Sequence, residues 1–390
     1  MKSKVDLYIM LPCTQNNIFP NEIVSNNNDA DLFLNELSEV AEYEFKSKLC
    51  ERLERNFLKN IELVCKTDDR DCPVILGKQN AFVTVTNFKN TNISIIYIIA
   101  IDVSVSLTHL LDQVSRRELT LTENNKEYFL REWIKNFGYE STGKAFYASC
   151  LSGLSKEEAP YIIAGEAYNN DAEYHIISET VSKILNENHA QYSSYDSYIS
   201  ECGIAYVMKD FNENYSERVQ IECIMIFIME LVVLKITAIS AVNNDIVSSF
   251  SNKNVSIDEI RNINEKFSLS LPLWDLRHFR YFLAQEFANR VENAFNVSQF
   301  INEYDKNRIF LEQLINTRKM VISENEAKAL RIFATVISAL QAIPLLFSII
   351  LYVLEGKEIG ITQIIAFFTS SVIVLTLVFI IFKRRKKINK

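Results

Sequence analysis

Two long runs of uncharged, mostly apolar residues near the end of the chain constrain its fold more than any other feature. Residues 332–354 contain no Asp, Glu, Lys or Arg, and neither do residues 359–382. An α-helix rises about 1.5 Å per residue, so each run is long enough to cross the roughly 30 Å hydrocarbon core of a bilayer. Helices of soluble proteins seldom stay apolar on every face over such a length. The sequence therefore predicts two transmembrane helices joined by a short connection.

Basic residues flank the two runs unequally. The last eight positions, 383–390, carry six Lys and Arg residues, and Arg331 precedes the first run, whereas the connection 355–358 contains a single Lys. Because basic flanks stay on the cytoplasmic side, we expect a multi-pass protein of the cell membrane with both termini in the cytoplasm. Residues 1–331 are then cytosolic, and residues 383–390 form a basic cytoplasmic tail.

The cytosolic region is acidic. The chain has 41 basic and 49 acidic residues, a net charge of −8, and six of the basic residues belong to the tail. An acidic surface repels the phosphates of nucleic acids and attracts cations, so no nucleic-acid partner is predicted. The seven cysteines form no Cys-x-x-Cys pair, and no histidine has a His or Cys partner at metal-ligand spacing. Neither an enzymatic activity nor a resident cofactor is predicted.

The first part of the chain, residues 1–212, alternates between strand and helix signals. This alternation predicts an α+β, sensor-like domain with a mixed or antiparallel sheet. Strand signals cover residues 5–11, 61–65, 74–76, 81–88, 93–103 and 203–207. Helix signals cover residues 30–58, 106–119, 126–137 and 175–188.

Residues 213–331 are predicted to be nearly all helical, with a break at Leu271-Pro272, and to end in a stalk. The stretch 216–250 is strongly apolar, but Glu222, Glu230 and Lys235 interrupt it, which favours a core helix over a third membrane span. No Pro or Gly lies between residues 273 and 326. We therefore expect the last cytosolic helix to continue as a stalk into the first span.

Residues 138–144, with the sequence GYESTGK, match most of the phosphate-binding pattern G-x-x-x-x-G-K-[ST]. Ala145 replaces the hydroxyl residue of that pattern, and the segment follows a predicted helix instead of a strand. A helix end explains Gly138 more simply. We therefore do not interpret this segment as a phosphate-binding loop.

The first span carries a short motif in addition to its apolar character. Four residues fall on the spacing Pro-Leu-x-Phe, four residues, Tyr: Pro344, Leu345, Phe347 and Tyr352. Together with the stalk, the short outer loop and the basic end, this motif resembles the CorA-like divalent-cation transporters of the two-transmembrane GxN type. The resemblance implies a homopentamer in which the first span lines a pore and Pro344 kinks the helix.

The chain departs from that family at the pore mouth. The Gly-Met-Asn positions of the family are occupied here by Val353, Leu354 and Glu355. A ring of Glu355 carboxylates would favour cations and makes this residue the candidate metal ligand. The alternative is that Glu355 is only the first solvated residue beyond the membrane. The resemblance therefore leaves the transported or regulatory ion open, with Mg²⁺ or another divalent cation as the candidates.

Polar residues of the first span recur on one face. At 100° per residue, the five predicted pore-lining positions lie within a sector of about 80°: Ser338, Gln341, Leu345, Ser348 and Tyr352. Polar groups inside a span normally face protein or water. A stripe that faces a central pathway is the functional interpretation, and ordinary helix–helix packing is the alternative.

Three functional hypotheses follow from these observations. The first is a CorA-like oligomeric cation channel or transporter in the lipid bilayer, gated by its cytosolic domain, with further copies of itself as partners. The second is a CorA-like membrane effector of antiviral defence, for example beside a type III CRISPR system, activated by a small nucleotide second messenger. The third is a non-conducting membrane-anchored scaffold. All three share one fold class: an α+β cytosolic domain, a long helical stalk and a C-terminal two-helix hairpin.

Overall fold

A computed structural model of the chain describes most residues before 252 and a continuous stretch near the end. The described ranges are 4–15, 27–45, 48–67, 73–123, 126–152, 178–190, 193–209, 214–251 and 279–355, with single positions between 262 and 268 and between 360 and 372. The chain forms two compact units, Met1–Ile309 and Phe310–Lys390. The domain boundaries predicted at residues 212/213 and 331/332 stay predictions.

A ten-stranded sheet forms the framework of the first unit. The strands are β1 (Lys4–Gln15), β2 (Leu53–Lys66), β3 (Ile75–Phe88), β4 (Ile93–Ala100), β5 (Thr120–Glu123), β6 (Lys126–Phe129), β7 (Tyr139–Ser141), β8 (Phe146–Ser152), β9 (Tyr195–Ile199) and β10 (Gly203–Met208). Their order is β6-β5-β2-β3-β4-β1-β8-β10-β9, and β7 pairs with β1. Neighbouring strands are antiparallel except for β8 and β10, which are parallel. Of the two predicted alternatives, a mixed or an antiparallel sheet, the structure shows the mixed one.

Helices alternate with the strands and then dominate the chain. The side-chain oxygen of Asn27 accepts hydrogen bonds from the backbone N–H groups of Asp29 and Ala30 and so caps the first helix. The α+β region followed by long helices is confirmed. The helices within the described residues are α1 (Asn28–Glu44), α2 (Leu107–Arg116), α3 (Leu130–Asn136), α4 (Ser178–Asn186), α5 (Tyr215–Ser251), α6 (Phe282–Ala294) and α7 (Val297–Glu355).

Two helix predictions extended too far. The helix predicted over residues 30–58 ends at Glu44, and the chain enters β2 at Leu53. The helix predicted over residues 126–137 begins only at Leu130, because Lys126–Phe129 pairs with β5. Charged and apolar residues alternate irregularly in both segments, so their local pattern resembles a helix surface. Pairing with a neighbouring strand decides their conformation instead.

Helices cover both faces of the sheet. Every residue of β4, with the sequence ISIIYIIA, is buried. Successive strand residues point to opposite faces, so complete burial means that both faces are covered. On one face, Tyr97 of β4 belongs to a core with Phe33 of α1 and Phe227 of α5. On the other face, Ile98 belongs to a core with Leu111 of α2 and Trp133 of α3.

Helix α5 is the apolar helix that sequence analysis assigned to the core. By length and composition residues Tyr215–Ser248 could cross a membrane, yet 89% of their most apolar window is buried inside the first unit. The three charged residues that interrupt this helix are buried as well: Glu222, Glu230 and Lys235. The prediction of a core helix in place of a third span is confirmed.

Ion pairs connect α5 to the sheet and to α6. The buried guanidinium of Arg218 donates from Nε to Oδ2 of Asp6 in β1 over 2.7 Å. Arg55 of β2 pairs with Glu230, whose carboxylate also accepts a 2.6 Å hydrogen bond from the hydroxyl of Thr86. The Nζ atom of Lys235 lies 2.5 Å from Oε1 of Glu292 in α6. Arg218, Glu230 and Lys235 therefore each have a partner of opposite sign.

We predict that Arg218→Met destabilises the first unit by about 3–5 kcal/mol, because the substitution leaves the buried Asp6 carboxylate without its guanidinium partner. Chemical unfolding of the full chain in detergent measures the effect. The matched control is Lys78→Met, which removes one partner of an exposed pair between Lys78 Nζ and Glu62 Oε2. We expect this control to cost about 0–1 kcal/mol. Equal effects of the two substitutions would contradict the structural role of the Arg218–Asp6 pair.

Candidate functional site

Helix α7 carries the apolar segment in which the predicted pore residues lie. By length and composition two helices of the structure could cross a membrane, and they have nearly equal mean hydropathy, 2.2 in α5 and 2.1 in α7. None of the apolar window of α7 is buried, in contrast to α5. Large apolar side chains therefore face outward along it, including those of Ile332, Val336, Leu346, Phe347, Ile350 and Leu354. A contiguous exposed apolar surface of this kind marks a site of contact with lipid or with another protein.

The structure places the whole predicted stripe on α7. The side chains of Ser338, Gln341 and Tyr352 are exposed, and that of Ser348 is half-buried. The backbone positions of Leu345, Val353 and Glu355 also belong to this helix, while their side chains lie outside what the structure describes. Helical geometry thus brings the polar positions to one face. That this face lines a pore stays a prediction.

Pro344 lies inside α7, and the helix continues on both sides of it. A proline nitrogen has no hydrogen to donate, so the carbonyl of Leu340 loses its usual helical partner. The hydroxyl of Ser348 donates to the carbonyl oxygen of Pro344 over 2.9 Å. One of the four polar side chains of the stripe therefore uses its proton within the helix. The kink at Pro344 stays a prediction.

The second predicted span, residues 359–382, lies almost entirely outside the described residues. The few described positions in it are helical or adjoin a helix, and their large apolar side chains are exposed: Ile361, Ile365, Phe368 and Val372. Residues 356–358 of the connection and the basic tail 383–390 also lie outside the described residues. The two-helix hairpin, with both ends in the cytoplasm, therefore stays a prediction.

The segment 138–144 does not have the structure of a phosphate-binding loop. Gly138 follows the end of α3 with φ 79°, and its N–H donates to the carbonyl of Lys135 over 2.9 Å. The next residues, Tyr139–Ser141, pair with β1 as strand β7. The interpretation of Gly138 as a helix end is confirmed.

The structure shows no metal centre within the residues it describes. No group of three or more His, Cys, Asp or Glu side chains among them could hold a metal ion. Six of the seven cysteines lie in this part of the chain, and all six are free thiols. Glu355, the predicted metal ligand, lies on α7, and its side chain is outside the described set.

Sequence analysis missed a buried polar cluster between α5 and the sheet. The guanidinium of Arg218 bonds both carboxylate oxygens of Asp6, and its Nη2 atom also donates to Oδ1 of Asp102 over 3.1 Å. The backbone N–H of Asp102 donates to Asp6 over 2.9 Å. The buried positive charge of Arg218 is thus shared by the carboxylates of Asp6 and Asp102. It offsets little of the negative charge of a third carboxylate nearby.

Glu222 is that third acid, one helical turn after Arg218. Tyr8 donates its hydroxyl proton to Oε2 of Glu222, and the Tyr8 hydroxyl oxygen lies 3.2 Å from that of Tyr215. Burial, followed by the negative charge of Asp6, raises the pKa of Glu222 to about 8, although the hydrogen bond from Tyr8 and then Arg218 oppose this shift. Glu222 therefore holds a proton near neutral pH.

This cluster has a structural role and no access for a substrate. Glu222 is 2% exposed and Tyr8 is 1% exposed. The same burial raises the pKa of Tyr8 and of Tyr215 well above the ordinary tyrosine value. The four-residue spacing between Arg218 and Glu222 was visible in the sequence. Their partners on β1 lie more than 200 positions away, and no local signal links them.

No protein-family model, no curated protein and no solved structure matches the chain. The molecule itself defines the class: an N-terminal α+β sheet region followed by long helices, two of which are apolar enough to cross a membrane.

We predict that Glu222→Gln removes part of the pH dependence of stability. The pKa of Glu222 is about 8 in the folded chain against a reference value of 4.5. Between these values the folded state binds the extra proton, so its stability falls as pH rises, by up to about 1.4 kcal/mol per pH unit. Glutamine stays neutral, so the variant gains stability relative to the original chain as pH rises through this window and no further above it.

Chemical unfolding of the full chain in detergent at several pH values measures this difference. Other titrating groups are common to both proteins, so the difference between their stabilities isolates Glu222. The control is Glu62→Gln, which neutralises a carboxylate in an exposed ion pair. A constant difference between the Glu222 variant and the original chain across the window contradicts the prediction.

Proposed function

We propose that the chain is one subunit of an oligomeric membrane cation channel or transporter of the CorA-like type, gated by its cytosolic α+β region. The observation that carries the proposal is helix α7. It begins in the first unit, where Val297 and Tyr304 are buried and Asn307 donates to Asn243 of α5 over 3.3 Å. It continues without a break to Glu355, through an apolar window of which no part is buried.

Because α7 is continuous, a movement at its first turns can be coupled to the proposed pore at its other end. A single α-helix is stiff over many turns, so a displacement of its anchored first turns is transmitted along its length. Ligand binding or rearrangement in the α+β region could thereby shift the populations of closed and open states of a pore. In this proposal α7 is the stalk and the first membrane span in one element.

Charge and length support the membrane location. The uncharged run 332–354 lies within α7 and spans about 34 Å as a helix, against roughly 30 Å of hydrocarbon. The basic tail and Arg331 would keep both termini in the cytoplasm, and the connection 355–358 would face the outside. The second span, 359–382, completes the proposed hairpin.

The polar stripe supports an assembly of several copies. Exposed Ser338 and Gln341 would be costly next to lipid tails, and they are satisfied where several α7 helices surround water. Five copies are the number that the resemblance implies. Glu355 would then form the acidic pore mouth and select for cations over anions.

Cysteine cross-linking tests the orientation of the stripe without requiring an open pore. We predict that Gln341→Cys forms disulfide-linked dimers on oxidation in membranes, because the stripe faces the axis shared by the copies. The matched control is Phe347→Cys, which lies about 140° from the centre of the stripe and is 62% exposed in the single chain. We expect no cross-link at this position.

None of the seven native cysteines lies in α7, so the original chain, oxidised in the same way, gives the background of disulfides formed elsewhere. A monomeric mass in detergent, or cross-linking at Phe347→Cys without cross-linking at Gln341→Cys, contradicts the proposed assembly. A monomeric mass would instead favour the non-conducting scaffold.

Ion flux into liposomes tests the proposed role of Glu355. We predict that the full chain conducts cations and that Glu355→Gln shifts its reversal potential toward that of a non-selective pore, because the acidic ring is lost. The control is Glu358→Gln, three residues further along the connection, which we expect to have the smaller effect. An unchanged cation preference in Glu355→Gln contradicts the filter role, and no flux with or without divalent cations contradicts the channel.

A further inference from the structure

A cavity of about 180 Å³ opens on the face of the sheet that α2 and α3 cover. Its walls come from the end of α2 and the turn after it, the start of α3, and the turn between β7 and β8. This volume accommodates a small polyatomic ion or one charged group of a larger ligand. It is smaller than a typical pocket for an entire drug-sized molecule.

Three basic side chains line this cavity: Arg117, Arg131 and Lys144. Among the lining residues that the structure describes, none is Asp or Glu. The chain as a whole carries a net charge of −8. A concentration of positive charge in an acidic protein, without carboxylates to balance it, is an electrostatic site for an anion.

The two arginines have unused hydrogen-bonding capacity. Within the described part of the chain, the guanidinium groups of Arg117 and Arg131 neither pair with a carboxylate nor donate a hydrogen bond. Burial, and then the positive charge of Arg117, lower the pKa of Arg131. Arginine does not lose its proton in proteins. An anion between them would relieve this repulsion and accept their hydrogen bonds.

Lys144 is held at the cavity by neutral groups. Its Nζ atom donates to the backbone carbonyl of Glu201 over 3.0 Å and lies 5.6 Å from the centre of the Phe146 ring. These contacts position the ammonium group without cancelling its charge. Lys144 is also the last residue of the glycine-containing segment 138–144, so that segment contributes to a cationic cavity even though it does not form a phosphate-binding loop.

The backbone of Arg117 has a conformation that residues other than glycine seldom adopt. Arg117 ends α2 with φ 66° and ψ 25°, in the left-handed region where glycine is the usual residue. This conformation is unfavourable for a residue with a Cβ atom. A glycine at this position would avoid that cost, but it would remove one of the two guanidinium groups from the cavity.

We propose that this cavity binds a phosphate group, either as free inorganic phosphate or as part of a small phosphorylated molecule such as a nucleotide. A phosphate carries up to two negative charges and several acceptor oxygens, which match two guanidinium forks and one ammonium group. Ser141 and Tyr147 also line the cavity, and each has a hydroxyl group that can donate to a phosphate oxygen. A carboxylate has one charge and two oxygens and would leave part of this donor set unused. The inference concerns the first unit alone and does not depend on the proposed channel.

Equilibrium dialysis of the full chain in detergent, in buffer free of phosphate and sulfate, tests the site with radiolabelled inorganic phosphate and with 5′-AMP. We expect saturable binding of one equivalent per chain. Affinities that are equal for both probes identify a phosphate site, and a clear preference for 5′-AMP extends the site to the nucleotide. Absence of saturable binding of both probes overturns the proposal.

Arg117→Gly is the decisive variant, because glycine tolerates φ 66°. We expect it to weaken binding about tenfold or more, as for the loss of a charge-assisted hydrogen bond. Its melting temperature should be equal to or above that of the original chain, so misfolding would not explain the loss. Arg131→Met should weaken binding by a similar factor.

The matched control is Lys135→Met, which removes an exposed positive charge near the end of α3 that does not line the cavity. We expect it to bind both probes as the original chain does. Normal binding by both arginine variants, or an equal loss of binding in the control, overturns the assignment of the site. Channel activity does not enter this measurement, so failure here leaves the proposed function to its own tests.

Discussion

Helix α5 packs Arg218 and Glu230 against the sheet, and the arrangement of the first unit depends on how these two charges are paired. An ionised side chain buried without a partner costs several kcal/mol. Arg218 and Glu230 are therefore compatible with burial only when Asp6 and Arg55 face them from β1 and β2. A shift of one residue in either strand would turn the partner to the opposite face of the sheet. The ion pairs thus set the position of α5 as well as stabilising it.

This burial also explains why α5 and α7 differ so strongly despite nearly equal hydropathy. The sheet face that α1, α5 and α6 cover forms one core, and α2 and α3 cover the other face. The apolar window of α7 has no such cover within the described chain. The two helices are thus distinguished by the surface available to each of them. The exposed apolar surface of such a helix has to be covered by lipid, by further copies of the chain, or by both.

Local patterns predicted the features that depend on neighbours along the chain. The spacing of Glu222, Glu230 and Lys235 correctly separated the core helix from a membrane span, and Gly138 was correctly interpreted as a helix end. The predicted helix over residues 30–58 was wrong beyond Glu44, because β2 is a strand only by virtue of pairing with β3. The Glu222 cluster was not predicted at all. The position of Glu222 on the helix could be predicted from the sequence. Tyr8 and Asp6, however, come close to Glu222 only after the sheet has formed.

The sequence by itself determined the two uncharged runs, the unbroken helix that leads into the first of them, and the polar stripe at helical spacing. Each of these depends on residues only a few positions apart, and helical periodicity relates such residues directly. Only the tertiary structure decided which apolar helix is buried, in what order the ten strands pair, and that Arg117, Arg131 and Lys144 line one cavity. Those outcomes depend on contacts between residues far apart in the chain. Local composition carries no information about such contacts until the sheet brings the segments together.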